Sequence, residues 1–106
     1  MKPFMSKGRD KLHFVISYDI SNNRLRAQLA RLLEGYGVRV QYSVFECRLE
    51  YERYQELLKK MKEYSEKFEE DSIRIYRICK NCEQEIETLG KINKKYEIVD
   101  SQVIVI

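Results

Sequence analysis

Between Leu12 and Ile78 the spacing of apolar residues switches four times between a period of two and a period of 3.6. That alternation limits the chain to a mixed fold of strands and helices. Leu12, Phe14, Ile16 and Tyr18 alternate, and Val15 is apolar on the opposite side, so this strand belongs in the interior of a sheet. Leu25, Leu29, Leu32 and Leu33 then share one helical face over 24–36. Ser21 or Asn22 offers the N-cap, and Gly35 and Gly37 are expected to stop the helix at positive φ. The run VRVQYSVFECRL, 38–49, exceeds one average strand, and a break near Gln41 would make it a hairpin. A second helix over roughly 50–68 carries Tyr54, Leu57, Leu58, Met61 and Phe68 on one face, with Lys and Glu spaced for i,i+4 pairing on the other. SIRIYRI, 72–78, reads as a further strand whose apolar phase slips between Ile75 and Tyr76, which predicts a bulge.

The order β, α, β, β, α, β predicts an α+β fold, a ferredoxin-like antiparallel sheet with two helices on one face. A chain of 106 residues supports one core. Residues 1–11, polar apart from Phe4 and the Met residues, read as a flexible leader, and 12–106 as the domain. In QVIVI, 102–106, four consecutive β-branched apolar residues would invite aggregation unless they pair with a sheet edge. A strand over about 98–106 exchanged across a homodimer meets that need.

Composition narrows the function classes. With 43% hydrophobic residues the chain can build a core, and its three Cys, an odd number, argue against a secreted disulfide framework. The longest early apolar run, Phe14 to Ile16, is too short for a signal peptide or a membrane span, so a cytoplasmic protein with no membrane partner is expected. Cys79 and Cys82 form a lone CxxC pair, and a zinc site would need His13 and Cys47 to converge on it. A redox-labile disulfide between them is another option, and inert thiols are the simplest reading. The first 50 residues hold nine Lys and Arg against five Asp and Glu, and the rest hold eleven against twelve. The basic half suits a phosphate backbone. Arg24, Arg26 and Arg31 on the first helix, and Arg39 at the start of the next strand, are candidate phosphate contacts. Some of these are expected to pair with Glu34, Glu46 or Glu50.

VISYDISNN, 15–23, ends a strand on a carboxylate. Asp19 there can start a turn by bonding to nearby backbone, or present a hard oxygen ligand to a metal. Tyr18 beside it reads as core or as an orienting group, Ser43 as a hydrogen-bonding neighbour, and Phe45 and Tyr42 as packing residues. His13, six residues upstream, stands about 20 Å away at ~3.3 Å per residue and supplies no base.

The stretch YDISNNRLRAQLARLLEGYGVRVQYSVFEC, 18–47, resembles the CRISPR-associated protein two family, and IYRI and ETLG further on are similar to it as well. The resemblance implies a ferredoxin-like homodimer whose last strand joins the partner's sheet. It implies Asp19 as the catalytic and metal-ligating residue, holding Mg²⁺ or another divalent cation, with the two copies facing each other on the dimer axis. It matches the family's basic residues to Arg26 and Arg39 and its strand aromatic to Phe45. Gln28 stands where some members carry Arg. Implied functions are spacer acquisition in antiviral defence with a Mg²⁺-dependent endonuclease acting on single-stranded RNA or duplex DNA, or a non-catalytic adaptor between CRISPR-associated protein one integrase dimers. A stand-alone ribonuclease toxin of similar fold is a further reading.

Overall fold

β1 (Leu12–Asp19) is hydrogen-bonded along both edges, to β3 (Val44–Leu49) on one side and to β4 (Ser72–Ile78) on the other, both antiparallel. β2 (Gly37–Gln41) completes a four-stranded sheet in the order β2-β3-β1-β4. Two helices, α1 (Asn23–Glu34) and α2 (Tyr51–Ser65), follow β1 and β3, and a single-turn helix α3 (Lys80–Glu83) follows β4. These elements come from a computed structural model that describes residues 10–90. The leader expected over 1–11, except its last two residues, and the exchanged strand expected over about 98–106 lie outside the described residues. The α+β, ferredoxin-like arrangement with both helices on one face is the one observed.

The pleat of β1 divides its residues between two environments. Phe14, Ile16 and Tyr18 are buried toward the helices, beside Phe45, Cys47 and Leu49 of β3, and Leu29, Leu33, Leu57 and Met61 close over them. Burial of each large side chain of this set contributes about 1.5–3 kcal/mol. The Phe14 ring stacks on Tyr54 of α2 with centroids 4.0 Å apart. His13, Val15, Ser17 and Asp19 have the opposite parity and stand on the face that carries no α1 or α2.

α1 starts where the side chain of Asn22 accepts the N–H of Leu25 at 2.9 Å, so Asn22 rather than Ser21 is the cap. Its end differs from expectation. Gly35 has φ −80°, and among the described residues the glycine with positive φ is Gly90, at 95°. The helix stops because the N–H groups of Gly35 and Tyr36 turn back to the carbonyls of Leu32 and Leu33, a tightened last turn. Gly37 answers a different demand. A Cβ there would collide with the Glu46 carbonyl oxygen and lie 2.6 Å from Cys47 Sγ, so the glycine lets β2 close onto β3.

The hairpin breaks after Gln41 as the sequence suggests, with Gln41 paired to Val44. The expected bulge in β4 is not there. β4 pairs with β1 without a register shift from Ser72 to Ile78, and the irregularity lies in β2, between Arg39 and Gln41. The apparent slip in SIRIYRI arises because Tyr76 is 46% exposed on the open face, so its aromaticity marks no core position. On α2 the expected charge pairing is present, with Lys60 Nζ 3.7 Å from Glu56 at i,i+4.

Gly37→Ala is expected to lower stability by about 1–3 kcal/mol, the usual cost of forcing extra volume into a packed contact. Gly35→Ala, whose Cβ would meet nothing nearer than a carbonyl at 3.4 Å, should change it by less than ~0.5 kcal/mol. Urea midpoints of the two variants check the ranking; a larger loss at Gly35 would restore the helix-stop role to that residue.

Candidate functional site

Three side chains hold the turn between β1 and α1, and Asp19 is not one of them. Asp71, just before β4, accepts the N–H of Ser21 at 3.0 Å and its hydroxyl at 3.2 Å. Arg26 Nη1 donates to the carbonyl of Ile20 at 2.7 Å, and Nη2 donates to the side chain of Asn23. Asn22 caps the helix. The turn-starting role read for Asp19 is thereby corrected: the hydrogen bonds that hold the turn come from Asp71, Arg26 and Asn22. Asp19 is exposed as the last residue of β1, paired to Ser72, and its carboxylate has no hydrogen bond or ion pair among the described residues.

Around this carboxylate the ends of three strands meet. The N–H of Tyr18 donates to the Ser43 carbonyl at 3.1 Å, which brings the β2–β3 turn against the end of β1. Ser43 therefore contributes its backbone to this corner. Tyr18 is buried at 4% exposure, and burial raises its phenol above the ordinary range, an effect the nearby Arg39 guanidinium opposes. It is a core residue that fixes the backbone of Asp19. Tyr42, expected to pack, is instead 69% exposed at the tip of the turn. Phe45 is fully buried and lies under Arg39, whose guanidinium carbon is 5.4 Å from the ring centroid. Arg39 Nε is buried without a partner.

The four candidate arginines do not converge on Asp19. Arg24 and Arg31 line an open groove of about 870 Å³ between α1 and the end of α2, together with Lys67 but also with Glu63 and Glu66. That groove is on the helix side of the sheet, opposite the face that carries Asp19. The guanidinium of Arg26 is spent on the turn itself. None of the four forms the ion pairs expected with Glu34, Glu46 or Glu50 among the described residues.

Glu46 is engaged elsewhere, in a cluster that no sequence pattern announced. His13, 5% exposed, has Nδ1 2.7 Å from Glu83 and Nε2 3.1 Å from Glu46. Arg48 also donates to Glu83. Glu83 thus fastens α3 over the His13 end of the open face, leaving the Asp19 end uncovered by it. The zinc option fails on parity, since Cys47 is buried on the helix side while His13 is on the other. Cys79 and Cys82 are exposed free thiols. Among the described residues no group of three or more His, Cys, Asp or Glu is placed to hold a metal, and no helix is long and apolar enough to cross a membrane.

A single exposed carboxylate nonetheless fits one class of ion. Mg²⁺ takes hard oxygen ligands, retains several waters and needs only one or two carboxylates alongside substrate phosphate. Asp19 offers that oxygen donor, unshared with any cation of the described chain.

Comparison with known proteins bears on the family and the fold. A family model for the CRISPR associated protein Cas2 matches residues 12–86. A CRISPR-associated endoribonuclease Cas2 of Chloroflexus aurantiacus is 47% identical over 79 residues, which cover 74% of this chain and 85% of the relative. The crystal structure of Streptococcus pyogenes Cas2 at pH 6.5 superposes with a TM-score of 0.62 at 32% identity, covering 74% of this chain and 99% of that one. A subunit of a partial Cas6-RT-Cas1–Cas2 complex gives a TM-score of 0.64 at 34% identity, covering 74% and 90%.

The three thiols should differ sharply in reactivity. The Cys79 thiol caps α3, where the N–H of Cys82 donates to its sulfur at 3.2 Å, and that bond holds its pKa below the usual thiol value. The neighbouring Cys79 sulfur pushes Cys82 up, and burial pushes Cys47 up to about 12. Because the thiolate is the nucleophile, iodoacetamide at pH 8 should label Cys79 first, Cys82 later and Cys47 only after denaturation. Peptide mass spectrometry over a time course reads the order, and early labelling of Cys47 would contradict the packing described.

Proposed function

The chain belongs to the CRISPR associated protein Cas2 family, and from that premise we propose that it is a spacer-acquisition protein with slow metal-dependent endonuclease activity centred on Asp19. The observation that carries the reading is the idle carboxylate, exposed at a strand end while Asp71, Arg26 and Asn22 hold the turn. Relatives are named endoribonucleases, which favours RNA as the cleaved strand; duplex DNA is a second substrate. Residues 12–106 act as one domain in this reading, with 1–11 as a leader and the last strand, about 98–106, joining a second copy. In the homodimer of this reading the two Asp19 carboxylates face each other across the interface.

Asp19 holds the divalent cation, Mg²⁺ in the simplest case. The chemistry such an ion supplies when bound is Lewis-acid polarisation of a phosphodiester. The chain's own contribution is positional. β1 is locked on both edges, Tyr18 is anchored in the core, and the Ser43 carbonyl fixes the backbone one residue before Asp19. A general base contributes about 10²–10⁴-fold. His13 is committed to Glu46 and Glu83 at the far end of the strand and supplies none. Slow turnover follows.

A second reading is favoured by the complex in which a similar subunit is found together with Cas1. As an adaptor, the protein holds duplex DNA through Arg24, Arg31 and Arg39 while bridging Cas1 integrase subunits, and its catalysis is dispensable. The two readings use opposite faces of the sheet and are compatible.

Cleavage of labelled RNA and duplex DNA by wild type and Asp19→Ala, each with Mg²⁺ or EDTA, tests the first reading. Metal-dependent cleavage by wild type should fall at least 100-fold in the variant, while its duplex binding is retained. Equal activity in both proteins would remove Asp19 from the mechanism. For the second reading, duplex affinity is measured against salt concentration. Arg24→Gln and Arg31→Gln should each reduce the slope by roughly 0.9 for every phosphate that the arginine had neutralised. Arg26→Gln should instead cost about 1 kcal/mol of stability, because its bonds are internal.

A further inference from the structure

β4 brings a cation to the Asp19 site that none of the four candidate arginines supplies. In the β1–β4 register Asp19 pairs with Ser72, Ser17 with Arg74, and Val15 with Tyr76. Directly paired residues share a face, so Asp19, Ser17, Ser72, Arg74 and Tyr76 all stand on the open side of the sheet. Arg74 is the diagonal neighbour of Asp19, a relation that separates backbones by roughly 7–8 Å, within reach of a long side chain.

Opposite charges at that spacing would ordinarily close on each other. Here they do not: neither Asp19 nor Arg74 has an ion pair among the described residues. The reason lies one step further along β4. Arg74 Nη1 donates to the Tyr76 hydroxyl at 3.0 Å, and Tyr76 is on the side of Arg74 away from Asp19. The tyrosine hydroxyl gives the guanidinium a partner on the side away from the carboxylate. What remains between them is floored by Ser17 and Ser72, two small hydroxyl residues. Among the described residues the other N–H donors of Arg74 have no partner, and their fork suits phosphate oxygens.

We propose that Arg74 is the phosphate-positioning residue of the Asp19 site, donating to a non-bridging oxygen of the bound phosphodiester, and that Tyr76 keeps it clear of Asp19. The proposal rests on the reading of Asp19 given above. It names a residue of β4 that the first-helix arginines, facing the opposite side of the sheet, cannot replace.

The test uses the full chain as wild type, Asp19→Ala, Arg74→Gln, Arg74→Lys and Tyr76→Phe. Two quantities are read: kcat and KM for a labelled single-stranded RNA in Mg²⁺, and the affinity for the same RNA in EDTA by fluorescence anisotropy. Arg74→Gln should raise KM and weaken binding in EDTA, each roughly tenfold, the factor expected for one charge-assisted contact. Arg74→Lys should recover part of both, since it returns the charge without the fork. Tyr76→Phe should move both in the same direction by less, with thermal midpoints unchanged across the set. Asp19→Ala should lose cleavage and keep its EDTA affinity. If Arg74→Gln binds and cleaves like wild type while Asp19→Ala is inactive, the Arg74 proposal is overturned and the Asp19 reading stands. If Asp19→Ala cleaves like wild type, the Asp19 reading falls, and the site that Arg74 is proposed to serve falls with it.

Discussion

The two-residue pleat of β1 is the constraint from which the rest of the molecule follows. Because β1 is bonded on both edges, its register cannot slide without moving every side chain to the wrong face. Phe14, Ile16 and Tyr18 must face the helices, so His13, Val15, Ser17 and Asp19 must face away. The greasy half of the strand determines where the reactive half points. The same pleat sorts the arginines: those of α1 belong to the helix side, and Arg74 of β4 belongs with Asp19.

The turn after β1 shows how a carboxylate stays available in a chain where charge is plentiful. Backbone donors at a turn usually capture the nearest acidic side chain. Here Ser21 is taken by Asp71 from another part of the chain, and Arg26 is occupied by the carbonyl of Ile20 and the side chain of Asn23. The hydrogen bonds that hold the turn do not involve Asp19. That arrangement links the candidate site to the fold: the loop before β4 and the first turn of α1 must both be in place for Asp19 to be idle.

Much of this was legible in the residues. Strands and helices announced themselves through their periods, and the interior position of β1 through Val15 on its second face. Asp19 was legible as a position, because it ends an apolar strand and the family resemblance singles it out; that its carboxylate does not hold the turn was not. Glycine misled, since Gly35 and Gly37 serve a tightened helix end and a close strand approach rather than positive φ. Tyr76 misled too, because an exposed aromatic mimics a core residue in a periodicity count. The His13–Glu83 contact spans 70 residues, and no local pattern reports such a distance. Arg74 becomes readable only after the register is known: its parity places it with Asp19 once β1 and β4 are paired.

Glu83 has an effect beyond joining two side chains. By drawing α3 down onto His13 and Arg48, it divides the open face of the sheet, among the described residues, into a roofed end and an end without a roof. The face is therefore polar in the directional sense, like a ledge with a wall at one side. Ser17, Asp19 and Arg74 lie toward the end away from that wall. One short helix of four residues thus makes the two ends of one sheet face unlike.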